Sequence, residues 1–307
     1  MGRTSLEVNQ QPGGMFSIED MSRSTGNRFY VDSNTGVDGA GYGRSPDKPF
    51  DSLAYALSSG VCTADKGDII YVMPGHVETV TAAAGIACNI AGVSIIGLGT
   101  GASRPKIQFG SSTAATLSIT ASSVLIENLV FESDIASLAR CINVQSGGDR
   151  AVIRGCLFQD GSGTRSADIT VNHANADYCK IQRCEFIAAD SGSVPDCCVD
   201  IAAAVDGCEV SDCWMTGDFN TAAIKSGSIH LNCRILRNVI EQKESAEHAI
   251  EFTAAATGII GWNVIGVVGV AAGGAADTID IGSCRAIENY VADGDADTSG
   301  KLTPPVT

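Results

Sequence analysis

Apolar and polar positions alternate over short stretches of this chain, and the stretches recur. Leu117/Ile119, Ile142/Val144, Ile169/Val171, Val199/Ile201, Ile250/Phe252 and Ile279/Ile281 each place two apolar residues around one intervening position. Ile224 fills the gap between Ile201 and Ile250, with Ser226 at its partner position. Such alternation predicts short strands with one buried face. A second phrase repeats alongside the first. Cys179-Lys-Ile-Gln-Arg-Cys184-Glu-Phe186 returns as Cys208-Glu-Val-Ser-Asp-Cys213-Trp-Met215 and as Cys233-Arg-Ile-Leu-Arg-Asn238-Val-Ile240. Looser copies start at Ser123, Ala151, Gly258 and Cys284. The Asn or Cys that closes the phrase falls at Asn128, Cys156, Cys184, Cys213, Asn238, Asn263 and Asn289, in steps of 28, 28, 29, 25, 25 and 26 residues.

A fixed period in this range predicts a solenoid. Each repeat holds at least two strands and turn residues such as Gly147-Gly148 or Asp206-Gly207, and none holds an amphipathic helix of the length a helical repeat requires. The expected fold is all-β: a single right-handed parallel β-helix of about ten coils of 25–29 residues, each coil about 4.8 Å above the last. No coil buries its inner face alone. Stacked Asn amides at an inward turn hydrogen-bond along the stack, and Cys fills the same volume as a small hydrophobe. An earlier column, Cys179, Cys208, Cys233 and Cys284, has small residues at its other places: Ser123, Ala151 and Gly258. Seven of the 12 cysteines fall in these two columns, which points to core packing.

Three segments follow. Residues 1–27 form a polar arm, read as a docking arm with an incidental tail as the alternative. Residues 28–292 form the β-helix. Residues 293–307 form an extended C-terminal tail. Phe29-Tyr-Val-Asp32 reads as a strand, and Ser33 to Pro49 as a Gly-rich loop. Phe50, Leu53, Ala54 and Leu57 have helical spacing behind Pro49, which predicts a short helix capping the open end of the solenoid. The longest departures from the repeat are Gln159–Asp168, Ala188–Pro195 and the apolar Val267–Ala276. An exposed loop of that last kind would be adhesive; a partly buried wide turn is the alternative. Asp293-Gly-Asp-Ala-Asp297 has spaced carboxylates without the closing Glu of a Ca²⁺ loop, so it reads as solvated.

Charge narrows the partners. Twenty basic against 35 acidic residues give −15, unsuited to nucleic acid or to acidic polysaccharides. No uninterrupted apolar stretch has membrane-spanning length. The opening residues show no apolar core of signal-peptide length, which together with the cysteine columns predicts synthesis in a cytoplasm with free, buried thiols.

The search for chemistry returns no catalytic, cofactor-binding or metal residues. His76, His173, His230 and His248 lack metal-ligand spacing. The best acid cluster is Asp196, Asp200, Asp206, Asp212 and Asp218, with Asp168 one coil earlier. Asp200 lies between Val199 and Ile201 and so points outward, with Asn172 or Thr170 one coil back and Lys225 one coil ahead. Paired carboxylates of this kind serve glycosidases, but a solvated strand face is the stronger reading.

Tyr30-Val-Asp32, Gly43, Ser45-Pro46, Lys48-Pro49-Phe50, Gly67-Asp68, Pro74-Gly75 and Val93-Ser-Ile-Ile-Gly97 together resemble the opening segment of pectate-lyase-like right-handed β-helix proteins. With the short polar arm and the Ile69-Ile-Tyr-Val-Met-Pro-Gly-His76 run, the chain also resembles small β-helix proteins encoded among the virion genes of tailed bacteriophages. The first resemblance is specific for fold and weak for function. The second implies a non-enzymatic virion structural protein: a homotrimeric capsid decoration (cement) protein on the capsid surface, bound to the major capsid protein through residues 1–27. The alternative is a tailspike or adhesin that binds or cleaves a host surface glycan.

Overall fold

A computed structural model describes residues 9–10, 16–17, 26–58, 60–161, 167–173, 175–188, 194–243, 247–267, 278–292 and 300–302. Three sheets wind around one core, with ten, ten and eight strands, all parallel except the last strand of the second sheet. A typical turn runs Glu209–Ser211 in the first sheet, Trp214–Gly217 in the second and Ala222–Ser226 in the third. Its successor runs Cys233–Leu236, Val239–Gln242 and His248–Phe252. Each repeat therefore holds three strands. Against the expected ten or so coils, the first sheet has ten rungs and the third eight. Among the described residues, the end rungs Arg28–Val31 and Arg285–Ile287 have no third-sheet strand in their turns.

The core is a set of columns. Ile126, Ile153, Ile181, Val210, Ile235 and Ile260 stack inward from the first sheet. Phe131, Phe158 and Phe186 stack inward from the second, with ring centroids 5.0 and 4.7 Å apart and planes within 13°. Met215, Ile240, Ile265 and Val291 continue that column. A period of two residues per strand and one rung per turn makes every inward side chain touch its copies above and below.

The corner between the first and second sheets explains the Asn/Cys column. One residue in the left-handed region turns the chain, and the next points inward. The turning residues are Asn128, Gly155, Arg183, Asp212, Arg237, Trp262 and Glu288, with φ between 47° and 59°. The first six donate their own N–H to a carbonyl one rung on, so the ladder continues through the bend. The inward column is Leu129, Cys156, Cys184, Cys213, Asn238, Asn263 and Asn289. Asn128 thus belongs one place earlier than the repeat suggested. Ser123 slips in the same way, and Val124 holds the inward place beside Ala151. At Gly258 an added Cβ would lie 2.0 Å from the Cys233 carbonyl oxygen, so this rung of the cysteine column accepts only glycine.

The expected capping helix is a single turn, Leu53–Ala56, with Ser52 as its N-cap. The Glu78 carboxylate accepts from the N–H groups of Leu53 (2.6 Å) and Ala54 (3.2 Å), fastening the helix to the first coil. Leu53, Ala56 and Leu57 close the end of the core. Gly26 and Asn27 already lie on the solenoid, the Asn27 N–H donating to Asp68 Oδ1 at 2.6 Å. In the arm, Asn9–Gln10 and Phe16–Ser17 pair antiparallel; the rest of residues 1–25, and the Val267–Ala276 loop beyond its first residue, lie outside the described residues. In the tail, Gly300–Leu302 turns back antiparallel onto Asn289–Ala292.

Candidate functional site

The acid cluster foreseen from sequence is mostly dispersed. Asp206 sits at the corner leading into the first sheet, where Tyr178 (3.1 Å) and Asn232 (2.9 Å) donate to it. Asp149 and Asp177 occupy the same corner on earlier rungs. Each carboxylate accepts the N–H of the next, Asp177 at 2.8 Å and Asp206 at 2.9 Å. Asp212 is on the opposite corner, held bidentately by Arg237 at 2.7 and 2.8 Å. Asp218 follows the second sheet, and the Asp168 side chain lies outside the described residues.

Asp196 and Asp200 do meet, on the outer face of the third sheet. The outward column there reads Ser118, Asn143, Asn172, Asp200, Lys225, Glu251 and Asp280, in strict register. Of the two candidates one coil back, Asn172 and not Thr170 pairs with Asp200, and Lys225 lies one coil ahead as expected. Asp196 precedes the strand and accepts from Thr221 Oγ1 and Lys225 Nζ. Burial lowers the Lys225 ammonium, but the Asp196 carboxylate, with Cys197 and Asp200, outweighs it and holds the pKa above its usual value. Burial raises the Asp200 carboxyl; Lys225 and Arg140 oppose the shift and Asp196 adds to it. Cys197 lies buried beneath this cluster while Cys198 joins the core, so the adjacent thiols occupy opposite faces. Asn172 donates to Asn143 Oδ1 at 3.2 Å, and its own buried Oδ1 meets no donor.

Two chemical readings of the described residues are each incomplete. With Asp196 committed to two donors, Asp200 is left as half of a glycosidase pair. The second concerns a buried Ser226–His230 contact that sequence reading missed. His230 Nδ1 accepts the Val205 N–H at 3.3 Å, so the proton of the neutral ring sits on Nε2 and points at Ser226 Oγ. A base for that hydroxyl needs the opposite tautomer.

His173 was also missed. The strand register pairs Val171 with Ile142 and His173 with Val144, so the inward pair is Val171/His173 and not Ile169/Val171. His173 is fully buried, and neither ring nitrogen has a hydrogen-bond partner. Burial pushes its pKa down to about 4, with His230 adding to the shift and Asp177 opposing it. No sequence signal separated it from the solvent-facing polar residues of the same strand. Among the described residues, no three His, Cys, Asp or Glu side chains converge as a metal site.

Several other outward charges are engaged with neighbouring side chains. Burial raises the Glu132 carboxyl, but donors from Lys106, Gln108 and Gln159 at 2.8–3.0 Å outweigh it and hold it below the usual range. Arg154 clamps Glu127 at 3.0 and 2.8 Å. Glu209 receives Gln182 at 2.7 Å and pairs with Arg234 at 3.2 Å.

No protein-family model matches the chain, and no curated protein matches it. Among solved structures, the pectin methylesterase from Aspergillus niger, in deglycosylated form, is similar with a TM-score of 0.33 and 14% identity, over 92% of this chain and 93% of that one. A likeness this distant carries no functional argument.

Proposed function

We propose that this chain is a non-enzymatic structural protein of a tailed-bacteriophage virion, a homotrimeric capsid decoration protein anchored to the major capsid protein by its N-terminal arm. One observation carries the non-enzymatic part. The outward charges bond rung to rung along the solenoid: Lys106–Glu132, Glu127–Arg154, Asp196–Lys225, Glu209–Arg234 and Asp212–Arg237. A side chain satisfied by its neighbour stiffens a rod; a catalytic group must remain available to a substrate. The virion setting rests on the resemblance of the arm and the opening segment.

The test is binding to empty capsids by the full chain and by a variant lacking residues 1–25, which spares the Asn27–Asp68 contact. Binding that disappears with the arm supports the reading. Unchanged affinity without the arm sinks the anchoring role, and a full chain that ignores capsids sinks the whole reading.

The raised Asp200 carboxyl favours one second reading, a tailspike that cleaves host polysaccharide. New reducing ends released from capsule or lipopolysaccharide by the native chain, and lost in Asp200→Asn, would replace the first reading with this one.

A further inference from the structure

The outer face of the second sheet changes character in the C-terminal half. Its outward column reads Val77, Lys106, Val130, Leu157, Glu185, Trp214, Val239, Val264 and Tyr290 in register. The last four are consecutive, uncharged and apolar, and each is 47–51% exposed. Ile187 flanks Trp214 diagonally, and Trp262 flanks Val264 at the corner; both are also exposed. Isolated apolar residues on a surface are ordinary, whereas a contiguous run of six is not. We infer that this stripe is the surface through which copies of the chain associate side by side, with their solenoid axes parallel.

Area, spacing and charge point to a second copy. A full aromatic side chain offers about 150–250 Å² and an aliphatic one somewhat less, so six side chains exposed by nearly half leave roughly 500 Å² of apolar surface. A standard interface takes about 800 Å² from each partner, somewhat over half of it non-polar, so the stripe supplies the apolar core of one such interface. Its side chains recur at about 4.8 Å along a straight line, an interval native to another β-solenoid.

Charge places a stricter condition. Near a symmetry axis parallel to the solenoid a residue meets its own copy, so any charge would face its own sign. The four stripe positions carry none, on a chain of net charge −15. Their borders are closed by neutralised or hydrogen-bonded groups: the Asp212–Arg237 pair on one side, and Thr216 donating to Glu241 at 2.7 Å on the other. A sugar chain is the poorer occupant, because the two central side chains are valines that read no hydroxyl.

This inference does not depend on a capsid, and its test needs none. The mass of the full chain is measured by sedimentation equilibrium at micromolar concentration, beside Val239→Glu, Val264→Glu and Leu231→Glu. Leu231 is an exposed apolar residue away from the stripe and serves as the control. Circular dichroism checks that each variant retains its β-structure, and Trp214→Ser replaces any glutamate variant that does not.

The native chain and Leu231→Glu are expected at two or three times 31.6 kDa, the number of copies giving the symmetry. The stripe variants are expected to associate at least 100-fold more weakly. A monomeric native chain overturns the inference, and so do stripe variants that associate as the native chain does, or a control that dissociates with them. An oligomer that ignores capsids leaves the interface standing and removes the proposed function alone.

Discussion

Asn263 and Asn289 are 26 residues apart in the chain and one rung apart in space, the Asn263 Nδ2 donating to Asn289 Oδ1 over 2.9 Å. Asn263 Oδ1 in turn accepts from the N–H (2.9 Å) and the side-chain amide (3.1 Å) of Asn238. Its Nδ2 also donates to the Ile235 carbonyl at 3.1 Å. One side chain satisfies polar groups on the rungs before and after its own, all within the core.

Asn263→Ala leaves several of those groups buried without partners. Each such orphan costs about 1–3 kcal/mol, and partial relaxation sets the expected loss at about 2–4 kcal/mol. A lower urea midpoint, followed by fluorescence of the neighbouring Trp262, reads it. An unchanged midpoint would mean that water replaces the amide and that the ladder adds nothing.

The phenylalanine stack is expected to be at least as sensitive. Phe158 lies between Phe131 and Phe186 with both faces covered. Phe158→Ala should cost about 3–5 kcal/mol, and Phe158→Leu clearly less, because cavity size sets the cost. Equal losses in the two variants would show that ring stacking, and not volume, dominates at this site.

His173 makes stability depend on pH. Its folded pKa of about 4 lies below the unfolded value of 6.5, so the unfolded chain binds the extra proton between those limits. The stability due to neutral His173 is complete above pH 6.5 and is lost as pH falls toward 4. At about 1.4 kcal/mol per unit, that loss is on the order of 3 kcal/mol. Burial lowers His230 in the same direction, so some dependence survives in any single variant. Urea midpoints at pH 7.5 and 4.5 should differ markedly in the native chain and less in His173→Leu. An equal pH effect in both assigns it elsewhere.

All twelve cysteines are buried and none is bonded to another. Burial pushes the Cys88, Cys62 and Cys284 thiols up to about 12, far from the thiolate that reacts. A thiol-reactive chromogen at pH 8 should therefore label no cysteine in the native protein and all twelve in denaturant. Rapid native labelling of even one would show that its turn opens locally.

Much of the solenoid was legible because its rules are local. Alternation at period two says which residues of a strand face in, and a repeated phrase says where the next rung starts. The capping helix, the free thiols, and Asn172 and Lys225 flanking Asp200 all came from such rules. The misplacements share one cause. Asn128 and Ser123 match their columns by residue type but sit one position early, because a left-handed corner accepts Asn and Ser as readily as an inward turn does. His173 was passed over because its strand pairs two residues further along than the apolar pattern implies, and only the ladder records that shift.

By itself the sequence determined the period and the small inward columns, since each follows from a few neighbouring side chains. Tertiary structure alone decided what lies beside what around the coil. It scattered Asp206, Asp212 and Asp218 to different corners of one turn, left Asp200 beside a committed Asp196, and aligned Trp214 with Tyr290 across 76 residues of chain. Exposure is a property of the assembled stack: whether Trp214 is core or surface depends on which face of the rung it occupies, and that is set when the turns above and below close on it.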